Sequence, residues 1–199
     1  EVVKRLHLTV NYSVREGLRT ADLYGRSPIE VDFINDNSKQ KLSLEVTPLR
    51  NGKIELTDFE DKFVTRQETK RVILAEYGDT VATPVGQVVV HKTLFMDSTY
   101  LKKPITVIKN SLAATTNAYR AAVKSDVANK QASIVTISMN NSVPRRAEDV
   151  INTLIAVYEE DAIADKRQLS VVTADFIKER MQVIGRELGD VDRDIEDIK

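Results

Sequence analysis

The chain has 199 residues, of which 42% are hydrophobic and 30% are charged, and its net charge is -1. This composition fits a folded domain that carries a long solvated element, and it argues against intrinsic disorder. The lack of a basic excess argues against nucleic acid as a partner. The absence of cysteine excludes disulfides, thiolate metal sites and cysteine nucleophiles. No run of about 18 apolar residues occurs, so the sequence predicts no membrane-spanning helix.

The first half of the chain is predicted to contain a short helix followed by short strands. Residues 1–8 resemble the end of a helix. Alternating apolar and polar residues predict strands at 28–34, at 42–46 and from residue 54, with further strands at 70–75 and 86–92. Asn51-Gly52 predicts a tight turn. We therefore expect a β-rich antiparallel module over residues 24–97.

A different pattern begins after Pro104. The β-branched run at 105–108 predicts a strand, and Ser111 can cap a helix that follows it. Residues 132–139 are apolar on both faces, which predicts a strand in the centre of a sheet. This strand–helix–strand unit completes a mixed α/β base domain over residues 1–142, and the predicted fold class is α+β.

A single long helix is predicted from residue 143 to residue 199. Pro144 suits the first turn of a helix, and Gly185 and Gly189 are the only glycines beyond it. The apolar residues from Ile184 to Ile198 are spaced by four and three residues, which is the heptad pattern of a coiled coil. We expect this arm to pair with another helix, either in a returning segment of the same protein or in a neighbouring subunit.

The sequence contains no recognisable catalytic or metal-binding motif. The HExxH, GxSxG, phosphate-loop and CxxC patterns are absent, and His7 and His91 lie in separate predicted elements. The carboxylates at 58–61 and 159–161 are expected to be solvated, whereas acid–base catalysis would need one of them buried. The basic pairs at 145–146 and 166–167 are either solvated helix residues or contacts for an anionic polysaccharide or lipid phosphate. We predict that the chain is not an enzyme and binds no cofactor or metal.

Several segments resemble the polysaccharide co-polymerase family, which comprises the Wzz-type chain-length determinants and the Wzc-type tyrosine autokinases. Residues 144–154, PRRAEDVINTL, followed by Tyr158, resemble that family's pattern of Pro, Ala, an aliphatic pair, Asn and Tyr. Residues 173–180, TADFIKER, resemble its Thr-x-x-Phe-Ile-x-x-Arg segment. Residues 23–29, LYGRSPI, and 83–86, TPVG, are similar to segments of the Bacteroidetes-type, kinase-linked members.

The resemblance implies a periplasmic domain held between two transmembrane helices of the inner membrane, so that the chain would be part of a longer protein. It implies a homo-oligomer that sets the length of capsular or exopolysaccharide and assists its export. The polysaccharide polymerase and the growing lipid-linked glycan would be its partners, and membrane attachment would come from other segments. In kinase-linked members, a cytoplasmic tyrosine autokinase domain belongs to the same protein.

The residues that carry the resemblance are expected to have structural roles. Ala147, with Ile151 and Leu154, would pack the helix base onto the sheet. Asn152 and Tyr158 would cap loops or satisfy backbone groups nearby. The full set of family-motif positions is Tyr24, Pro28, Pro144, Ala147, Asn152, Tyr158, Phe176 and Arg180, and Phe176 with Ile177 would lie on the inner face of the arm.

Two other classes of function are open at this point. A periplasmic adaptor of the membrane-fusion type also combines β domains with helical hairpins, although it places the hairpin inside a lipoyl-like β domain. A glycan hydrolase would need a pair of carboxylates on either side of the scissile bond. The fold around the helix would distinguish the adaptor from a co-polymerase, and the burial of the carboxylates would distinguish the hydrolase.

Overall fold

The computed structural model describes residues 1–34, 40–62, 64–129 and 132–196. The chain divides into two compact units, Glu1–Asn152 and Thr153–Lys199. The fold class is α+β, as predicted. The described residues form four α-helices, α1 (Val2–Arg5), α2 (Arg66–Thr69), α3 (Leu112–Ala122) and α4 (Pro144–Glu196). Their strands are β1 (Val10–Glu16), β2 (Arg19–Asp22), β3 (Ile29–Ile34), β4 (Leu42–Pro48), β5 (Lys53–Glu60), β6 (Ile73–Glu76), β7 (Thr80–Thr83), β8 (Gly86–Lys92), β9 (Ile105–Lys109), β10 (Val123–Asn129) and β11 (Ala132–Met139).

Every strand pairing in the described part of the chain is antiparallel. Six strands form the larger sheet in the order β2-β1-β9-β4-β5-β6, and three form a second sheet in the order β3-β8-β7. β9 lies between β1 and β4. The strands predicted as a β-rich module are thus divided between two sheets, and strands from outside residues 24–97 complete the larger one.

The two larger sheets share one hydrophobic core. Along β4, every second side chain is buried, including Leu44 and Val46, because alternate residues of a strand point to opposite faces. Phe59 of β5 is 0% exposed and is the largest fully buried side chain among the described residues. Gly52 has a φ of 78° in the turn before β5, a conformation that glycine adopts without a steric penalty. The predicted strands at 28–34, 42–46 and 86–92 and the Asn51-Gly52 turn are confirmed.

The prediction of a central strand at 132–139 is wrong. Among the described residues, β11 pairs only with β10, in a separate two-stranded sheet. Ile134 and Val135 are 60% and 58% exposed. β-branched residues on both faces favour a strand, but they do not determine how many neighbouring strands it will have. α3 therefore leads into a hairpin rather than into a second strand of the sheet that contains β9.

The predicted long helix is confirmed in α4, which begins at Pro144 and extends to Glu196. Its 53 residues correspond to about 80 Å at about 1.5 Å per residue. Both glycines lie within the helix, so neither ends it. Ile198, the last position of the heptad pattern, lies outside the described residues. No helix in the described ranges combines the length and the apolar character needed to cross a bilayer.

Candidate functional site

Two of the segments that carry the family resemblance meet at the base of α4. The first is the loop that follows β2, and the second is the first two turns of α4. The phenol of Tyr24 donates a hydrogen bond to Oδ2 of Asp149, 125 residues further along the chain, over 3.0 Å. We call this region the helix-base junction and define it as Asp22, Tyr24, Gly25, Arg145, Arg146 and Asp149. All six residues belong to the unit Glu1–Asn152.

Arg146 is the central side chain of the helix-base junction. It is only 7% exposed, and its Nη2 donates a hydrogen bond to Oδ1 of Asp22 over 2.8 Å. Its guanidinium carbon lies 4.7 Å from the centre of the Tyr24 ring, which is a cation–π contact. Oδ1 of Asp22 also accepts the backbone N–H of Tyr24 over 2.9 Å. Arg146 is therefore not a solvated helix residue, and that interpretation of it from the sequence is wrong.

A second, smaller hydrophobic cluster supports the helix-base junction. Val150 lies one turn beyond Arg146 and is buried against Val3 and Leu8. Half-buried residues of α3 and of the β10–β11 hairpin, including Tyr119 and Met139, pack around these three. The first turns of α4 are consequently held by an ion pair and by apolar packing on the same side of the helix, since residues four apart share one face.

The phenol of Tyr24 is held in its neutral form. Burial raises its pKa to about 12, and the hydrogen bond to the Asp149 carboxylate acts in the same direction. A phenol that donates to a carboxylate loses this bond when it ionises, and it would then face a like charge. The contact between Tyr24 and Asp149 thus depends on the proton that the phenol carries.

We expect the contribution of this proton to stability to disappear in alkaline solution. The folded pKa of Tyr24 is above its ordinary value of 10.0, so the contribution is complete below pH 10 and is lost as the pH rises towards 12. The difference in the free energy of unfolding between the wild type and Tyr24→Phe should therefore shrink between pH 8 and pH 11.5, as measured by urea unfolding at each pH. Tyr158→Phe is the matched control, because Tyr158 is largely exposed. A Tyr24→Phe difference that stays constant over this range would contradict the assignment.

The other predicted motif positions lie in different surroundings. Pro28 is fully buried, and Pro144 begins α4. Ala147, Ile151 and Leu154 are half-buried, while Asn152 is exposed. Tyr158, Phe176 and Arg180 lie in the unit Thr153–Lys199, where all three are exposed, as is Ile177. The structure therefore brings together Tyr24 and the start of α4, but not the more distant motif positions.

Groups capable of acid–base chemistry are scattered. His91 lies 3.4 Å from Asp32 and is half-exposed, whereas His7 follows α1. The carboxylates predicted to be solvated are exposed at Asp58, Glu60 and residues 159–161, and Asp61 is half-buried. Desolvation and the neighbouring Asp58 raise the pKa of Glu45, which the sequence did not single out. Within the described ranges, no group of three or more His, Cys, Asp or Glu residues could hold a metal ion.

Comparison of the chain with protein-family models and with curated proteins found no match. The resemblance to polysaccharide co-polymerases therefore depends on the residues quoted from this sequence.

Proposed function

We propose that this chain is a non-catalytic periplasmic domain of an inner-membrane polysaccharide co-polymerase, which controls the length of capsular or exopolysaccharide through oligomeric assembly. The observation that carries the proposal is the helix-base junction. Two segments chosen for their family resemblance, more than 100 residues apart, contact each other through the Tyr24–Asp149 hydrogen bond and the stacking of Arg146 on the Tyr24 ring.

The surface of α4 within the unit Thr153–Lys199 supports an assembly role. Leu169, Val172 and Phe176 are spaced by three and four residues, and each is more than half exposed. Residues with this spacing lie on one face of a helix. A contiguous apolar face of this kind is typical of a helix that pairs with another helix. In the proposed protein, that partner is a returning helix or the equivalent helix of the next subunit.

The mechanism we propose is geometric. Subunits associate around the polymerase, and the size and shape of the assembly set the range of glycan lengths that is released. The described residues contribute a rigid anchor for the start of α4 and an apolar helix face for contacts. No covalent step is assigned to this domain, and a fused cytoplasmic kinase would act from the other side of the membrane.

The oligomeric state of the membrane-extracted protein tests this proposal. We expect the full-length protein in mild detergent to be a homo-oligomer by native mass spectrometry. Phe176→Glu, which places a charge on the apolar face, should reduce the oligomer to smaller species, because a buried unpaired charge is strongly unfavourable. Gln182→Glu adds the same charge at a polar, exposed position of α4 and should leave the assembly intact. A monomeric wild-type protein would refute the proposal.

A further inference from the structure

A cleft of ≈ 480 Å³ opens at the helix-base junction, and Asp22, Tyr24 and Arg145 of the junction line it. Its walls come from three separate parts of the unit Glu1–Asn152, namely β2, the loop that follows β2, and the turn that leads into α4. The polar side chains that line it are Thr20, Asp22, Tyr24, Arg26, Ser142 and Arg145. The cleft therefore gathers residues that are more than 100 positions apart in the sequence.

Two arginine side chains line this cleft. Arg26 and Arg145 are exposed, and neither side chain makes an ion pair or hydrogen bond with another residue in the described part of the chain. The hydroxyls of Thr20 and Ser142 are likewise without hydrogen-bond partners among the described residues. Arginine presents a planar fork of donors that matches the oxygens of a phosphate or a carboxylate.

The acidic side chain in the cleft is already neutralised. Oδ1 of Asp22 accepts from both the Arg146 guanidinium and the Tyr24 backbone N–H. With that ion pair counted as neutral, Arg26 and Arg145 leave the cleft with a positive charge. The cleft also faces the first turn of α4, where the partial positive charge of the helix dipole favours an anion.

The loop at Gly25 lies close to Arg145. A Cβ at Gly25 would lie 3.7 Å from the Arg145 guanidinium, so one side of this exposed group lies close to the loop. The φ of Gly25 is 70°, which a residue with a side chain would adopt only with strain.

We propose that this cleft is a binding site for an oxyanion group, a phosphate or a carboxylate, held between Arg26 and Arg145. The hydroxyls of Thr20 and Ser142 supply further hydrogen bonds to its oxygens. This inference depends on the fold of the unit Glu1–Asn152 and not on the proposed assembly function.

Titration of the 199-residue chain with inorganic phosphate tests the site, with chloride added to keep the ionic strength constant. We expect saturable changes in the NMR signals of the Arg26 and Arg145 Nε–H groups. Arg26→Ala and Arg145→Ala should each weaken binding by roughly tenfold or more, because each removes a charge-assisted hydrogen bond. Arg50→Ala, at an exposed position in a different turn, should leave binding unchanged. The proposal would be overturned if the NMR changes rose linearly with phosphate concentration without saturating. It would also be overturned if binding were unaffected by both Arg26→Ala and Arg145→Ala.

Three sugars distinguish a phosphate ligand from a carboxylate ligand. Glucose 1-phosphate tests phosphate, glucuronate tests carboxylate, and glucose is the neutral control. Binding of either anionic sugar without binding of glucose supports the site, whereas equal binding of glucose would overturn it. Arg26→Lys and Arg145→Lys keep the charge but lose the planar fork of donors, so we expect them to weaken binding. They replace the alanine variants in the test if an alanine variant fails to fold.

Discussion

Replacing Arg146 with Met should lower the free energy of unfolding of the unit Glu1–Asn152 by about 2–4 kcal/mol. The substitution keeps the length of the apolar stem but removes the guanidinium that binds Asp22 and stacks on Tyr24. The Asp22 carboxylate would then retain only the backbone N–H of Tyr24 as a donor. The effect should be below that of a fully buried pair, because the Asp22 side chain is 31% exposed. Urea unfolding at neutral pH measures it.

The control for this prediction is the neighbouring residue. Arg145→Met removes the same charge from an exposed position and should change the free energy of unfolding by less than about 0.5 kcal/mol. A double-mutant cycle with Asp22→Asn should show that the two junction substitutions cost less together than the sum of their separate effects, since they disrupt one interaction. Equal effects at Arg146 and Arg145 would show that the ion pair does not stabilise the fold.

Truncating Phe59 to Ala should destabilise the same unit by about 3–5 kcal/mol. Phe59 is fully buried in the core that the two larger sheets share, so its removal leaves both a lost transfer free energy and a cavity. Thermal and urea unfolding should both report the loss of stability. The slope of the free energy of unfolding against urea concentration should stay unchanged if the native state keeps its compactness.

Phe95→Ala provides the matched comparison. The Phe95 side chain is 53% exposed, so the same truncation should cost less than about 1 kcal/mol. If the two substitutions were equally destabilising, the core would not lie between the two sheets as described.

Much of the fold could be predicted from local patterns. The alternation in β4 identified its buried residues, Ser111 caps α3 through its hydroxyl, and Pro144 marks the first residue of α4. Each of these signals acts over a few residues, so the surrounding sequence contains all the information that is needed. The length of α4 could be predicted for the same reason, because the residues after Pro144 contain no further proline and keep a helical spacing of apolar residues.

The arrangement of the strands could not be predicted in this way. β9 lies between β1 and β4, and its partners are determined by contacts that are distant in sequence. β11 has the composition of a central strand, yet the described residues give it a single neighbour. Strand propensity describes a half-buried pleated surface, and it does not specify which strand lies beside it.

The helix-base junction was only partly predictable. The resemblance singled out Tyr24 and Pro144, but Arg146 resembled any charged residue near the start of a helix. Its burial depends on Asp22, which lies 124 residues earlier. One local signal was present in the sequence, since Arg146 and Val150 are four residues apart and so share a helix face. An apolar residue such as Val150 on the face of a helix that packs onto the domain suggests that Arg146, on the same face, also points inward.

The length distribution of the surface polysaccharide is the decisive test of the proposed co-polymerase function. Gel electrophoresis would compare the wild-type strain, a strain from which the gene has been deleted, and deletion strains that carry either wild type or Phe176→Glu. We expect the deletion to remove the preferred chain length, the wild-type gene to restore it, and Phe176→Glu to fail to restore it. An unchanged length distribution in the deletion strain would refute the proposed co-polymerase function.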